Sequence, residues 1–124
     1  MNDAPGYAIA YLRDVDVNDE IVTYLERIDA TLAPHGGHCL VHGGHLTPAE
    51  GVWDGDIIVI RFPDVAAARE WYDSPAYREI LPLRTRNSDG VTLLVDGVRA
   101  GYRAAGYAEK LVTSSARASG TPGR

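Results

Sequence analysis

The sequence predicts an α+β fold, and three observations carry that reading. Strand-like and helix-like segments follow one another in the order β-α-β-β-α-β. The helical segments repeat their apolar residues every three or four positions, whereas the strand segments are short and rich in β-branched residues. The chain has 124 residues with a single cysteine, which fits one domain stabilised by its apolar core and not by disulfides.

The first strand is Gly6-Tyr7-Ala8-Ile9-Ala10-Tyr11-Leu12-Arg13. Alternation places Tyr7, Ile9, Tyr11 and Arg13 on one face and the smaller Ala8, Ala10 and Leu12 on the other, where helices can pack closely. A helix is expected from about Asn18, an N-cap residue, with Asp19 and Glu20 in the dipole-favoured first turn. Ile21, Leu25, Ile28 and Leu32 form its apolar stripe, and Pro34 with Gly36-Gly37 ends it. The second strand is His38-Cys39-Leu40-Val41-His42, stopped by Gly43-Gly44. A loop through Pro48, Gly51 and Trp53 leads to the third strand, Ile57 to Phe62. Pro63-Asp64 precedes a second helix running to Tyr72. Ser74-Pro75 then restarts a short helix toward Arg84. Val91-Thr92-Leu93-Leu94-Val95 is the fourth strand.

This is the ferredoxin-like arrangement, with two helices on one face of a four-stranded antiparallel sheet. The other face carries Ile9, Leu40, Ile57, Val59 and Leu94, a larger apolar patch than a monomer usually exposes. A second copy of the chain is the expected cover, making a homodimer. After Gly97 the pattern changes. Val98, Tyr102, Ala105, Ala108 and Val112 give one face of an appended helix, so residues 1–112 form a single domain with a helical extension from about 98. The Ser, Ala, Gly, Pro and Arg content of 113–124 predicts a disordered tail.

Composition narrows the function. A net charge of −5 and the lack of a basic stripe argue against a nucleic-acid partner. No apolar run reaches the roughly 20 residues that span a bilayer, and no signal sequence is visible, so no membrane partner is expected and the cytoplasm is the expected compartment. Cys39, in an apolar strand, reads as a small core hydrophobe.

Gly36-Gly37 through Gly43-Gly44, Glu50-Gly51-Val52-Trp53, Ile58-Val59-Ile60-Arg61-Phe62-Pro63 and above all Trp71-Tyr72-Asp73-Ser74-Pro75-Ala76-Tyr77, followed by Ile80 and Arg84, resemble one family. It is the domain of unknown function 1330, and order and spacing agree from about Gly6 to Val98. The resemblance implies a dimeric α/β barrel, in which two sheets pack face to face around a small-molecule cavity. Relatives in that superfamily include cofactor-free monooxygenases, haem-handling enzymes, and isomerases or cyclases. The family has no agreed catalytic residues to carry over, and His38, His42 and Arg61 depart from its usual pattern.

The expected cavity face holds Tyr7, Ile9, Tyr11, His38, Leu40, His42, Ile57, Val59, Arg61, Thr92 and Leu94, with Trp53 at its mouth. A mostly apolar lining with a few convergent polar groups is what a ligand pocket presents. His42 and His38 are the acid/base candidates, because imidazole titrates near neutrality. Arg61, expected beside His38, would hold an anion, and Tyr11 would orient substrate. Polar contacts across the dimer are the competing role for these residues. No metal site is expected, since four strand residues put His38 and His42 roughly 13 Å apart. His35 and His45 fall in glycine-rich turns.

The function expected is therefore a homodimeric, cofactor-independent small-molecule enzyme doing proton-transfer chemistry of isomerase, cyclase or lyase type. Its alternatives are a non-catalytic ligand-binding or stress-associated dimer and a cofactor-free or haem-type monooxygenase.

Overall fold

The computed structural model describes residues 4–117. Its elements are β1 (Gly6–Arg13), α1 (Asp19–Leu32), β2 (His38–Val41), β3 (Asp56–Phe62), α2 (Val65–Asp73), α3 (Pro75–Thr85), β4 (Asp89–Asp96) and α4 (Ala104–Arg117). The strands form one antiparallel sheet in the order β2-β3-β1-β4, so β1 and β3 are central and β2 and β4 are edges. The expected ferredoxin-like order holds.

Each of the three packed helices starts on a side-chain cap. Ile21 N–H donates to the Asn18 side chain at 3.1 Å, and Ala67 N–H donates to Asp64 at 2.8 Å. Ser74 serves two helices at once. Its hydroxyl donates to the Trp71 carbonyl at the end of α2 (2.7 Å) and accepts from Tyr77 N–H at the start of α3 (3.3 Å). Gly36 closes the turn after α1 at φ 71°, a left-handed conformation that glycine adopts without steric cost.

The core lies between the helices and one face of the sheet. Ala8 of β1 and Ile60 and Phe62 of β3 meet Tyr24, Ile28 and Leu32 of α1, Trp71 of α2, and Tyr77 and Ile80 of α3. Trp71 and Tyr77 pack with ring centroids 4.1 Å apart and planes tilted by 39°. Their polar ends are satisfied inside the core. Trp71 Nε1–H donates to Thr31 Oγ1 at 3.0 Å, Thr31 donates to the Ile28 carbonyl at 2.7 Å, and the Tyr24 and Tyr77 hydroxyls share a 2.6 Å hydrogen bond. The buried face of α1 is Ile21, Tyr24, Ile28, Thr31 and Leu32. Leu25, expected in that stripe, is 43% exposed. At 100° per residue it stands about 40° beyond Ile21, at the margin of the stripe.

The sheet corrects further expectations. β4 pairs Leu94 with Ala8 and Thr92 with Ala10, so both face the helices. The open face of β4 is Val91, Leu93 and Val95. A strand apolar on both sides carries no alternation from which its phase can be read. In β2, His38 pairs with Arg61 and Cys39 with Ile60, but Val41 then pairs with Val59. Leu40 is the extra residue of a β-bulge, which changes the phase of everything after it. The strand ends at Val41, and His42 lies on the helix side. Cys39, expected in the core, is exposed because β2 is an edge strand that the helices only partly cover.

The appended helix is α4, which runs from Ala104 to Arg117 and so begins later and ends later than expected. None of residues 104–114 is buried. Of the tail expected to be disordered, 113–117 are helical, and 118–124 lie outside the described residues.

Two consequences can be measured. Thr31→Val leaves the Trp71 indole N–H buried without an acceptor, so denaturant unfolding should show a loss of about 1–3 kcal/mol. A loss under half a kcal/mol would mean that the hydrogen bond is replaced by water. Deleting residues 104–124 removes none of the core side chains among the described residues. The midpoint of thermal unfolding should therefore change by less than a few degrees, and a large fall would reveal a packing role for α4.

Candidate functional site

On the helix side of the sheet, the segment after β1, the core face of α1 and the end of α3 do not close on one another. They leave a cavity of about 230 Å³. Its walls are apolar, formed by Leu12, Ile21, Ile28 and Ile58, with Val17 and Leu25 at the mouth. The polar groups that reach it are few: Tyr24, Arg84, His42, Cys39, Asp56 and Ser88. Arg84 also borders a second void of about 20 Å³, on whose far side stand the small residues Ala8, Ala10 and Thr92.

The electrostatics of the cavity follow from burial. Desolvation, then the neighbouring Tyr77 hydroxyl, drives the Tyr24 phenol far above its ordinary range, so it stays neutral. The Arg84 guanidinium lies 6.0 Å from the centre of the Tyr24 ring. Burial opposes its charge, but the Tyr77 and Tyr24 hydroxyls more than offset that and hold its pKa above the ordinary arginine value. It is therefore a permanent cation. Partial desolvation under the helices, then the negative charge of Asp29, pushes the Cys39 thiol up. That favours the protonated thiol over the nucleophilic thiolate.

Beside the cavity, α1 is clamped to the turn after α3. Glu20 accepts from Arg86 at 2.5 Å and from Asn87 at 2.9 Å, and Asn87 also donates to the Leu83 carbonyl at 2.7 Å. These bonds, that of Arg86 first, hold the Glu20 carboxyl below its ordinary value.

The residues singled out in the sequence are divided between the two faces. Tyr7, Ile9, Tyr11, Ile57, Val59, Arg61 and His38 lie on the open face, and His38 is adjacent to Arg61 as expected. Tyr11 is already engaged. Its hydroxyl donates into Asp54, 2.6 Å from the carbonyl and 2.7 Å from Oδ1, and the Trp53 ring meets it edge-on at 4.9 Å. The Asp54 hydrogen bond, then desolvation, raises the Tyr11 phenol above its usual range. Trp53 in turn donates to the Gly55 carbonyl at 2.7 Å, so the pair anchors the loop between β2 and β3. Trp53 and Ile57 border a shallow hollow of about 260 Å³ under that loop. Leu40 sits on the bulge, whereas His42 and Leu94 belong to the helix side. The structure thus separates His42 from His38 and Arg61. Among the described residues, no three His, Cys, Asp or Glu side chains are placed to hold a metal ion.

Tyr24 and Arg84 carried no functional weight in the sequence, yet a signal for Arg84 was present. Tyr77, Ile80, Leu81 and Arg84 fall at helical spacing on the buried face of α3. A charged residue on an apolar stripe marks a site or an internal partner.

Residues 5–98 match the family described as domain of unknown function (DUF1330). The chain belongs to that family. No curated protein matches the sequence. Among solved structures, this DUF1330 chain is similar to a protein of unknown function from Rhodopseudomonas palustris, at 18% identity and a TM-score of 0.54, covering 79% of this chain and 85% of that one. A dimeric ferredoxin-like protein of unknown function from Thermobifida fusca aligns at 19% identity and a TM-score of 0.52, covering 77% and 93%. SnoaB, a cofactor-independent oxygenase from Streptomyces nogalater, aligns at 13% identity and a TM-score of 0.53, covering 82% and 100%. At these identities the likeness is one of fold. All the matched family residues precede α4, which is an addition to the family's domain.

The clamp gives a pH dependence with a definite sign. Glu20 has a lowered pKa in the fold, so its contribution is complete above its ordinary value of 4.5 and is lost as the pH falls through the depressed one. Glu20→Gln should therefore flatten the acid limb of the stability curve below about pH 4.5 and leave its neutral region with the smaller difference that an uncharged acceptor makes. An acid limb identical to that of the parent protein would show that the clamp does not persist in solution.

Proposed function

We propose that this DUF1330 protein is a homodimeric small-molecule enzyme that uses the helix-side cavity for cofactor-independent proton transfer, as in an isomerase, cyclase or lyase. The observation that carries the reading is the cavity itself, an apolar chamber with a handful of polar groups and one imidazole, His42, in its wall. Apolar walls hold the substrate body and exclude water. A histidine in the wall is the side chain best suited to take a proton from, or return one to, a carbon or oxygen atom near neutral pH.

The open face supplies the dimer. Leu40, Val41, Val91, Leu93 and Val95 are exposed apolar residues there, and the T. fusca neighbour of the same fold is dimeric. In that assembly His38 and Arg61 are interface residues, and the two cavities lie on the outer sides of the paired sheets. SnoaB, which shares the fold, is a cofactor-independent oxygenase, but none of this cavity's residues carry over from it.

The test begins with small molecules retained by the native protein, identified by mass spectrometry, followed by exchange of their acidic protons in deuterated water. His42→Ala should keep the dimer and ligand retention while slowing deuterium incorporation by on the order of 10²–10⁴-fold. Loss of retention in step with exchange would make the protein a binding module. Undiminished exchange would exclude His42. Leu25→Trp, which blocks the mouth, should abolish retention, whereas Arg61→Ala should leave it unchanged.

A further inference from the structure

Arg84 is 9% exposed, and among the described residues no carboxylate lies within ion-pairing distance of it. The contrast with its neighbourhood is sharp. Arg86, two residues on, binds Glu20; Arg27 binds Glu79; Arg69 and Arg78 share Asp73. All of these are exposed pairs that water could satisfy in any case. Among the described residues Arg84 is the one buried arginine, and it has no carboxylate partner. Tyrosine hydroxyls keep the guanidinium charged, but with no carboxylate beside it the desolvation of a buried cation is not repaid by an opposite charge.

Its surroundings define what could compensate. The guanidinium is flanked by two voids, and the larger opens through apolar walls to the surface. The planar donor fork matches the two oxygens of a carboxylate. The Tyr24 and Tyr77 hydroxyls, bonded to each other at 2.6 Å, leave one O–H of the pair free to donate. Asp56, exposed on the cavity lining, is a like charge to any anion and disfavours polyanions. The volume, about 230 Å³, is below the roughly 300–1,000 Å³ of sites for drug-sized ligands.

We propose that the cavity takes a small monocarboxylate with an apolar body, its carboxylate seated against the Arg84 guanidinium. The assignment rests on the reading of this cavity as the ligand site and adds the chemical class of the ligand.

The test uses the full chain and two matched probe pairs, benzoate with benzyl alcohol and hexanoate with hexanol. Each is titrated while unfolding temperature and backbone amide resonances are followed. The carboxylates should raise the unfolding temperature saturably and shift the resonances of Tyr24, Ile58 and Arg84, with the alcohols at least tenfold weaker. Arg84→Met should remove the carboxylate preference while leaving the ligand-free protein as stable as the parent or more so, since it replaces an unpaired buried charge. Arg84→Lys, which keeps the charge without the fork, should fall between the two. Alcohols binding as well as acids would overturn the anion assignment and leave the cavity reading intact. Neither probe class shifting the cavity resonances would overturn the cavity reading with it. A destabilised Arg84→Met that still preferred carboxylates would make Arg84 a structural cation and sink the proposal.

Discussion

The spacing between α1 and the sheet is fixed by aromatic side chains whose polar ends meet inside the core, and the rest of the molecule depends on that spacing. Tyr24 and Tyr77 join α1 to α3 through one hydroxyl pair, and Trp71 joins α2 to α1 through Thr31. An aromatic ring is a rigid spacer, and a buried hydrogen bond at its tip tolerates little displacement. With α1 tied to α2 and α3 in this way, space is left between Ile21 and Ile28 of α1 and Leu12 and Ile58 of the sheet. The cavity is the gap that remains. Leucines at the two tyrosine positions could collapse onto the sheet and would leave no reason for a chamber to persist.

β1 serves two surfaces with one backbone. Its small residues, Ala8 and Ala10, face the helices and admit Trp71, Tyr77 and Arg84 close to the sheet. Its large residues, Tyr7, Ile9 and Tyr11, face the other way beside the apolar side chains of β3 and β4. The chamber and the proposed self-association surface are thus separated by the thickness of a single sheet. The two jobs use different side chains of the same strands, so each surface can change without rebuilding the other. The Glu20–Arg86–Asn87 clamp adds a second closure at the start of α1, near the chamber but outside its lining.

Element order and the cap at Asn18 were legible in the sequence because each rests on a local rule. Alternation in β1 was legible for the same reason, since its two faces differ in size. Phase was not legible where both faces are apolar, so Leu94 and Thr92 were assigned to the wrong side. The displacement of His42 has another cause. A bulge is a pairing event between β2 and β3, and nothing in His38-Cys39-Leu40-Val41-His42 by itself marks Leu40 as the residue without a partner. One uncounted residue therefore moved His42 from one face to the other. The stripe of α1 failed more mildly, because Leu25 and Tyr24 are both apolar neighbours of Ile21 and Ile28, and only tertiary packing chooses between them. Arg84 could have been found from helical spacing alone, had its charge been weighed against the stripe it occupies.

Helix α4 stands apart from all of this. It is 14 residues long and buries none of residues 104–114. Helices of about 12–15 residues with no tertiary support are marginal in water, because nucleation is costly and propagation only slightly favourable. Its amide protons therefore exchange through local fraying, at rates set by helix–coil equilibrium, while those of β1 and β3 wait for global unfolding. The chain thus holds two cooperative units of very different lifetime, a slow-exchanging domain and a fast-exchanging arm. Hydrogen exchange along Ala104–Arg117 is accordingly the most sensitive reporter the molecule carries of anything that comes to rest against that arm.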